Sequence, residues 1–135
     1  MGIEVKKELE EYLRNKRYLK RKEEQIDRLE EQIKKVTAIY SDMPKGGANS
    51  KEDLIVMKLD LERELCTYLK SLLEQQKIIE NTLQKLDARY RNILDFLYIE
   101  GMTLVEVAAE ENYSYRQAKR LLKEAYKQYA EVRSE

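Results

Sequence analysis

In the first third of the chain, Val5, Tyr12, Leu19, Ile26, Ile33 and Tyr40 recur at intervals of seven. Leu29 and Val36 supply a second seam position in the latter half, where Glu8, Asn15 and Lys22 stand in the first half. A seven-residue apolar repeat marks a helix packed along one seam. Residues 3–40 are therefore predicted as one long helix, its seam narrow early and full later. With so few apolar residues per turn, such a helix must lean on a partner. Pro44 and Gly46-Gly47 end it and permit a reversal over residues 41–50, and Ser50 with Asp53 has the form of the next N-cap. A second helix is predicted over 51–85, with Leu54, Leu61 and Tyr68 on one line and Leu65, Leu72, Ile79 and Leu86 on the adjacent one. The two form a coiled-coil-like antiparallel hairpin, residues 1–86, roughly 50 Å long at 1.5 Å per residue. Leu72-Leu73 and Ile78-Ile79 widen the apolar stripe beyond one seam, which predicts a further partner: a second copy, making a homodimer, or the rest of the chain.

Beyond Leu86 the pattern restarts in shorter units. Asp87 is placed to cap a helix over 88–100 that buries Ile93, Leu94, Leu97 and Tyr98 and stops at a left-handed Gly101. Two helix starts follow, eleven residues apart. Thr103 with Glu106 and Ser114 with Gln117 each have the capping-box form, in which the hydroxyl accepts from the N3 amide while the N3 side chain reaches back to the cap's N–H. Met102 with Val107 and Tyr113 with Ala118 add apolar staples. That separation leaves about two turns of helix and a three- or four-residue turn, the proportions of a helix-turn-helix. Ala108 is small enough for the crossing, and Asn112 tolerates the left-handed turn. Ala118, Leu121, Leu122 and Ala125 form the buried stripe of the last helix. The fold class predicted is all-α, a helical hairpin followed by a three-helix helix-turn-helix domain at 87–135. About 45 residues is near the lower limit for an independent core, so the hairpin is expected to supply missing burial.

Composition removes most chemistry. There is no histidine and one cysteine, Cys66, so histidine-based triads, the usual zinc sites and an internal disulfide are all excluded. Cys66 reads as a small buried or half-buried hydrophobe. No glycine-rich phosphate loop is present; KGG at 45–47 follows no strand. The expectation is a protein that is not an enzyme and takes no cofactor or metal. No apolar run approaches the roughly 18 residues of a membrane span, and the N-terminus lacks an apolar signal core, which predicts a cytoplasmic protein. Lysine plus arginine and aspartate plus glutamate number 26 each, so any attraction for nucleic acid must come from local segregation of charge.

Charge is segregated in two places. The outer face of the last helix carries Arg116, Gln117, Lys119, Arg120, Lys123 and Lys127, a basic, amide-bearing surface suited to phosphates and base edges. Arg89 and Arg91 fall in the first turn of the leading helix, where such domains touch the DNA backbone. The second place is RNKRYLKRK, Arg14 to Lys22, with six basic residues in nine. Acidic residues at 8–11 and 23–24 flank it and are placed to neutralise it at i,i+4, which favours a solvated face over a second phosphate or polymerase contact.

The stretch LDARYRNILDFLYIEGMTLVEVAAEENYSYRQAKRLLKEAYKQY resembles the C-terminal promoter-binding domain of bacterial sigma-70-type factors. Leu86, Arg89, Ile93-Leu94, Tyr98, Glu100-Gly101, Thr103, Glu106-Val107-Ala108, Ser114, Ala118 and Ala125 carry the likeness. With the SDMPKGG junction, the chain is similar to small phage and prophage proteins of Gram-positive bacteria, some regarded as late transcription regulators of the ArpU/RinA type. The resemblance implies a recognition surface at Tyr115, Arg116, Gln117, Lys119 and Arg120, double-stranded DNA as partner, and RNA polymerase as a second partner. Tyr115 and Gln117 stand where sigma factors often place arginine, so a different target sequence is implied. The 87–135 segment holds eight basic and nine acidic residues, with Glu100, Glu106, Glu110 and Glu111 clustered before the recognition helix. Two other readings fit the pattern: a phage small terminase (DNA-packaging) subunit, and a helical scaffold that binds polymerase without touching DNA.

Overall fold

The computed structural model describes residues 4–40 and 51–135. The expected reversal and the Ser50 cap lie outside the described residues. The chain is all-α, with no strand among the described residues. Helix α1 spans Val5–Tyr40 and α2 spans Lys51–Leu83. Helix α3 is Ala88–Leu94 and passes into a π-helical stretch at Asp95–Ile99; α4 is Leu104–Glu110 and α5 is Tyr115–Arg133. The single helix expected over 88–100 is thus α-helical only in its first half. In the π stretch the Glu100 amide reaches the Asp95 carbonyl at 3.0 Å, one residue farther back than an α-helix allows.

Two compact units result. One joins Met1–Asn15 to Leu73–Glu135. Its core takes Val5, Leu9 and Tyr12 from α1, Ile79 and Leu83 from α2, and Ile93, Leu94, Val107, Ala118, Ala125 and Tyr129 from the shorter helices. Leu9, Tyr12, Leu94, Val107 and Tyr129 have no exposed surface at all. Helix α5 packs on both α3 and α4. Polar contacts fix the N-terminal turns of α1 in this core. Tyr12 donates to Gln76 Oε1 at 3.1 Å and Asn15 to Gln75 at 3.2 Å. Glu8 accepts from the Tyr129 hydroxyl at 3.2 Å and from Arg133 at 3.2–3.3 Å. The hydroxyls of Tyr98 and Tyr126 bond to each other. Burial pushes both phenols, and that of Tyr129, above the ordinary value of 10.0. For Tyr129, the nearby Glu8 carboxylate adds to the same shift.

The seam of α1 is therefore fullest where it was expected to be narrow. Leu9, four residues after Val5 and three before Tyr12, is a seam residue, while its neighbour Glu8 sits half-buried at the edge. Ile33 and Val36, expected to fill the later seam, are only half-buried.

The other unit is Lys16–Leu72, in which α1 and α2 run antiparallel. Leu19, Ile26, Leu29, Leu54 and Leu72 are buried, and Leu61 and Leu65 are half-buried. Lys22 bridges to Glu64 at 3.4 Å and Lys58 to Glu30 at 3.2 Å, tying the helices at their margins. Tyr68, expected on the seam line, is 48% exposed and meets Tyr18 edge-on with ring centroids 5.1 Å apart. Cys66 is exposed rather than buried: it lies between the seam residues Leu65 and Leu72 in number but about a third of a turn round the helix from them. Ile55, Val56, Met57, Leu59 and Leu69 are also exposed on α2; of the residues expected to widen its apolar stripe, Leu73 and Ile78 are 54% and 44% exposed, while Leu72 and Ile79 are buried. No helix among the described residues is long and apolar enough to cross a membrane.

Candidate nucleic-acid interface

Helices α4 and α5 form a helix-turn-helix whose local chemistry is fully specified. Thr103 caps α4 by accepting the Glu106 amide at 3.2 Å. The return half of that box differs from expectation. The Glu106 carboxylate accepts from the Thr103 hydroxyl at 3.0 Å rather than from its backbone N–H. At α5 the box is complete, with Gln117 N donating to Ser114 Oγ at 3.1 Å and Ser114 N donating to Gln117 Oε1 at 2.9 Å. Between the helices Asn112 adopts φ 59, the left-handed turn its side chain tolerates, and Gly101 takes φ 75 before α4. Asp87 occupies the N-cap position of α3, yet its side chain makes no capping bond; its carbonyl serves instead, accepting from Tyr90 and Arg91.

The inner face of α5 buries Ala118, Ala125 and Tyr129. Leu121 and Leu122, expected at full depth, are half-buried at the two edges of the stripe, whose middle runs through Ala118, Ala125 and Tyr129. Ala108 and Ala118 are 5% and 0% exposed, leaving no room for a larger residue on either side.

Arg116, Arg120, Lys123 and Lys127 fall within about 60° of one another on the opposite face, taking 3.6 residues per turn. All four are exposed, and none makes an ion pair among the described residues. Lys119 is also exposed; its Nζ stands 5.4 Å from the ring centre of Tyr115, itself 51% exposed. The two form one cation–π unit at the start of the helix. Gln117 is exposed, but its Oε1 is taken by the cap. A bidentate contact to adenine uses both amide atoms, so it would compete with the cap and leave Nε2 as the free donor. Arg89 and Arg91 lie on α3, not on this face. Arg89 is exposed and stacks over Tyr90 at 4.6 Å, and Arg91 is half-buried. Val105, 65% exposed on α4, is a surface apolar residue that the sequence reading did not single out. Glu106, Glu110 and Glu111 are exposed nearby in the chain. Among the described residues no group of acidic, histidine or cysteine side chains could hold a metal.

The chain belongs to a family described as "Protein of unknown function (DUF1492)", matched over residues 35–130, well over half its length. That family occurs often in phage proteins. No curated protein and no solved structure matches the chain significantly.

Proposed function

We propose that the protein is a sequence-specific DNA-binding transcription regulator of the phage or prophage type, resembling sigma-70-like late regulators, acting in the cytoplasm and without catalytic activity. The observation that carries this reading is the outer face of α5, where four exposed cations have no acidic partner among the described residues, on a helix held by a complete capping box. Unpaired cations on a rigid, capped helix are available to phosphate without first breaking an ion pair. Arg116 and Arg120 supply planar donor forks for guanine edges, and the apolar parts of Tyr115 suit a thymine methyl. Lys119, Lys123 and Lys127 serve phosphates, with Arg89 and Arg91 as backbone contacts from α3.

One such module, making four to six phosphate contacts, binds non-specific DNA with Kd on the order of 10⁻⁴–10⁻⁶ M. A homodimer would raise occupancy by presenting two recognition helices to half-sites roughly 34 Å apart. The exposed apolar residues of α2, Ile55, Leu59 and Leu69 among them, support pairing with a second copy. RNA polymerase is the second partner this reading implies, and the acidic residues of α4 are the surface available to it.

The test is a binding titration on prophage upstream DNA at several salt concentrations, with Arg116→Ala/Arg120→Ala beside the unaltered chain. Each lost base contact should cost about 1–3 kcal/mol and relax specificity. Unchanged affinity and unchanged preference in the double variant would overturn the assignment.

A further inference from the structure

We propose that the outer face of α1 within the Lys16–Leu72 unit is a second DNA-backbone contact surface, distinct from the recognition helix; it rests on the DNA-binding reading above. Arg17, Arg21, Gln25, Arg28, Gln32 and Lys35 follow one another at spacings of four, four, three, four and three. These spacings keep them on one face of an α-helix. All six are exposed. Each ends in N–H donors, and the six form an unbroken ladder about 27 Å long at 1.5 Å per residue.

The sequence alone favours a bland account, in which neighbouring carboxylates neutralise the basic run. Several of the carboxylates are otherwise engaged, and Glu11, Glu23 and Glu24 make no ion pair with the run among the described residues. Glu8 accepts from Tyr129 and Arg133, Glu10 faces Lys6 at 4.0 Å, and Glu30 and Glu64 bind Lys58 and Lys22 across the hairpin. Arg17, Lys20, Arg21, Arg28 and Lys35 make no ion pair among the described residues; Arg21 lies only over the Tyr18 ring, at 6.0 Å. The basic residues are thus sorted by position. Lys22, at the margin of the hairpin, is used to hold it together, and those on the outer face remain available.

The occupant follows from the chemistry. A linear array of guanidinium and amide donors, with no apolar member, suits the regularly spaced oxygens of a phosphodiester backbone. An anionic membrane would call for a broad apolar face to bury beside the charges; the ladder itself has no apolar member, and of the apolar residues in the groove beside it Leu29 is buried, Leu61 half-buried and Met57 alone exposed. Glu24 and Glu31 border the ladder, and Asp60 of α2 shares a shallow groove with Gln25, Arg28 and Gln32. The surface therefore strengthens binding without reading sequence, since it carries positive charge and no preorganised pocket for a base edge.

The experiment is fluorescence anisotropy of the full chain with a duplex that lacks any preferred site, titrated between roughly 50 and 200 mM salt. The unaltered chain is compared with Arg17→Gln/Arg21→Gln/Arg28→Gln and with the charge-preserving Arg17→Lys/Arg21→Lys/Arg28→Lys. Each phosphate contact contributes about 0.9 to the slope of log K against log salt. The glutamine variant should have a slope shallower by about two to three, with the base preference of the recognition helix retained. The lysine variant should keep the slope of the unaltered chain. An unaltered chain that binds duplex with a slope the glutamine substitutions do not change overturns the inference and leaves the DNA reading standing. Failure of the unaltered chain to bind any duplex overturns both.

Discussion

Leu9 gives the sharpest test of how the helix-turn-helix is stabilised. It lies 78 residues before Asp87 in sequence, yet it is completely buried in the unit that contains α3, α4 and α5. Leu9→Ala removes an isopropyl group from a side chain that has no exposed surface. Such truncations cost about 2–5 kcal/mol, the upper half where the cavity persists. A single-domain protein has on the order of 5–15 kcal/mol in all, so the loss would be a large fraction of the total. Val105→Ala on α4 is the control. Val105 is 65% exposed, and truncation there should cost under about 1 kcal/mol. Urea unfolding gives the two differences, and amide hydrogen exchange locates them. Leu9→Ala should accelerate exchange in α5, more than a hundred residues away in sequence. A cost below about 1 kcal/mol, or faster exchange confined to α1, would refute the view that the first turns of α1 complete the core of the helix-turn-helix unit.

Two further outcomes follow from local chemistry. Ser114→Ala removes the hydroxyl that accepts from the Gln117 amide and leaves that N–H without its cap, while Gln117 Oε1 keeps the backbone N–H of residue 114 as its donor; the expected loss is about 1 kcal/mol, read by thermal unfolding. The buried tyrosines set an alkaline limit. Tyr12, Tyr98, Tyr126 and Tyr129 titrate above 10.0 when folded, chiefly because burial disfavours the phenolate. Their contribution is therefore complete below pH 10 and is lost as pH rises above it toward the folded values. Stability measured from pH 8 to 11 should stay level on this account and then fall, and Tyr98→Phe/Tyr129→Phe should fall less steeply.

The helical class, the two long helices and the α4–turn–α5 unit were legible in the sequence because local signals determine them. Caps at Thr103 and Ser114, a left-handed Asn112 and the small residues Ala108 and Ala118 act over a few residues, and each occupies its expected place. What was not legible depends on partners distant in sequence. Leu9 is only one polar neighbour away from the seam position assigned to Glu8, and a strict seven-residue count passes over a 4–3 step. Glu8 itself matters through Tyr129 and Arg133, more than a hundred residues further on, which periodicity cannot reveal. The π stretch at Asp95–Ile99 has no marker of its own in an apolar run that any helix could bury. Among the candidate site residues, exposure of the α5 cations could be read from the helical wheel. The engagement of Gln117 in the cap was also implicit in Ser114-Tyr-Arg-Gln117, whose capping-box form places Gln117 Oε1 on the Ser114 N–H.

The central claim is that α5 reads DNA sequence. Selection from a library of random duplexes with the full chain, followed by sequencing of the retained molecules, tests it most directly. The account predicts a short enriched motif that contains guanines and disappears with Arg116→Ala/Arg120→Ala, while weak, salt-sensitive retention persists. Retention of no duplex, or the same enrichment in both proteins, would contradict it.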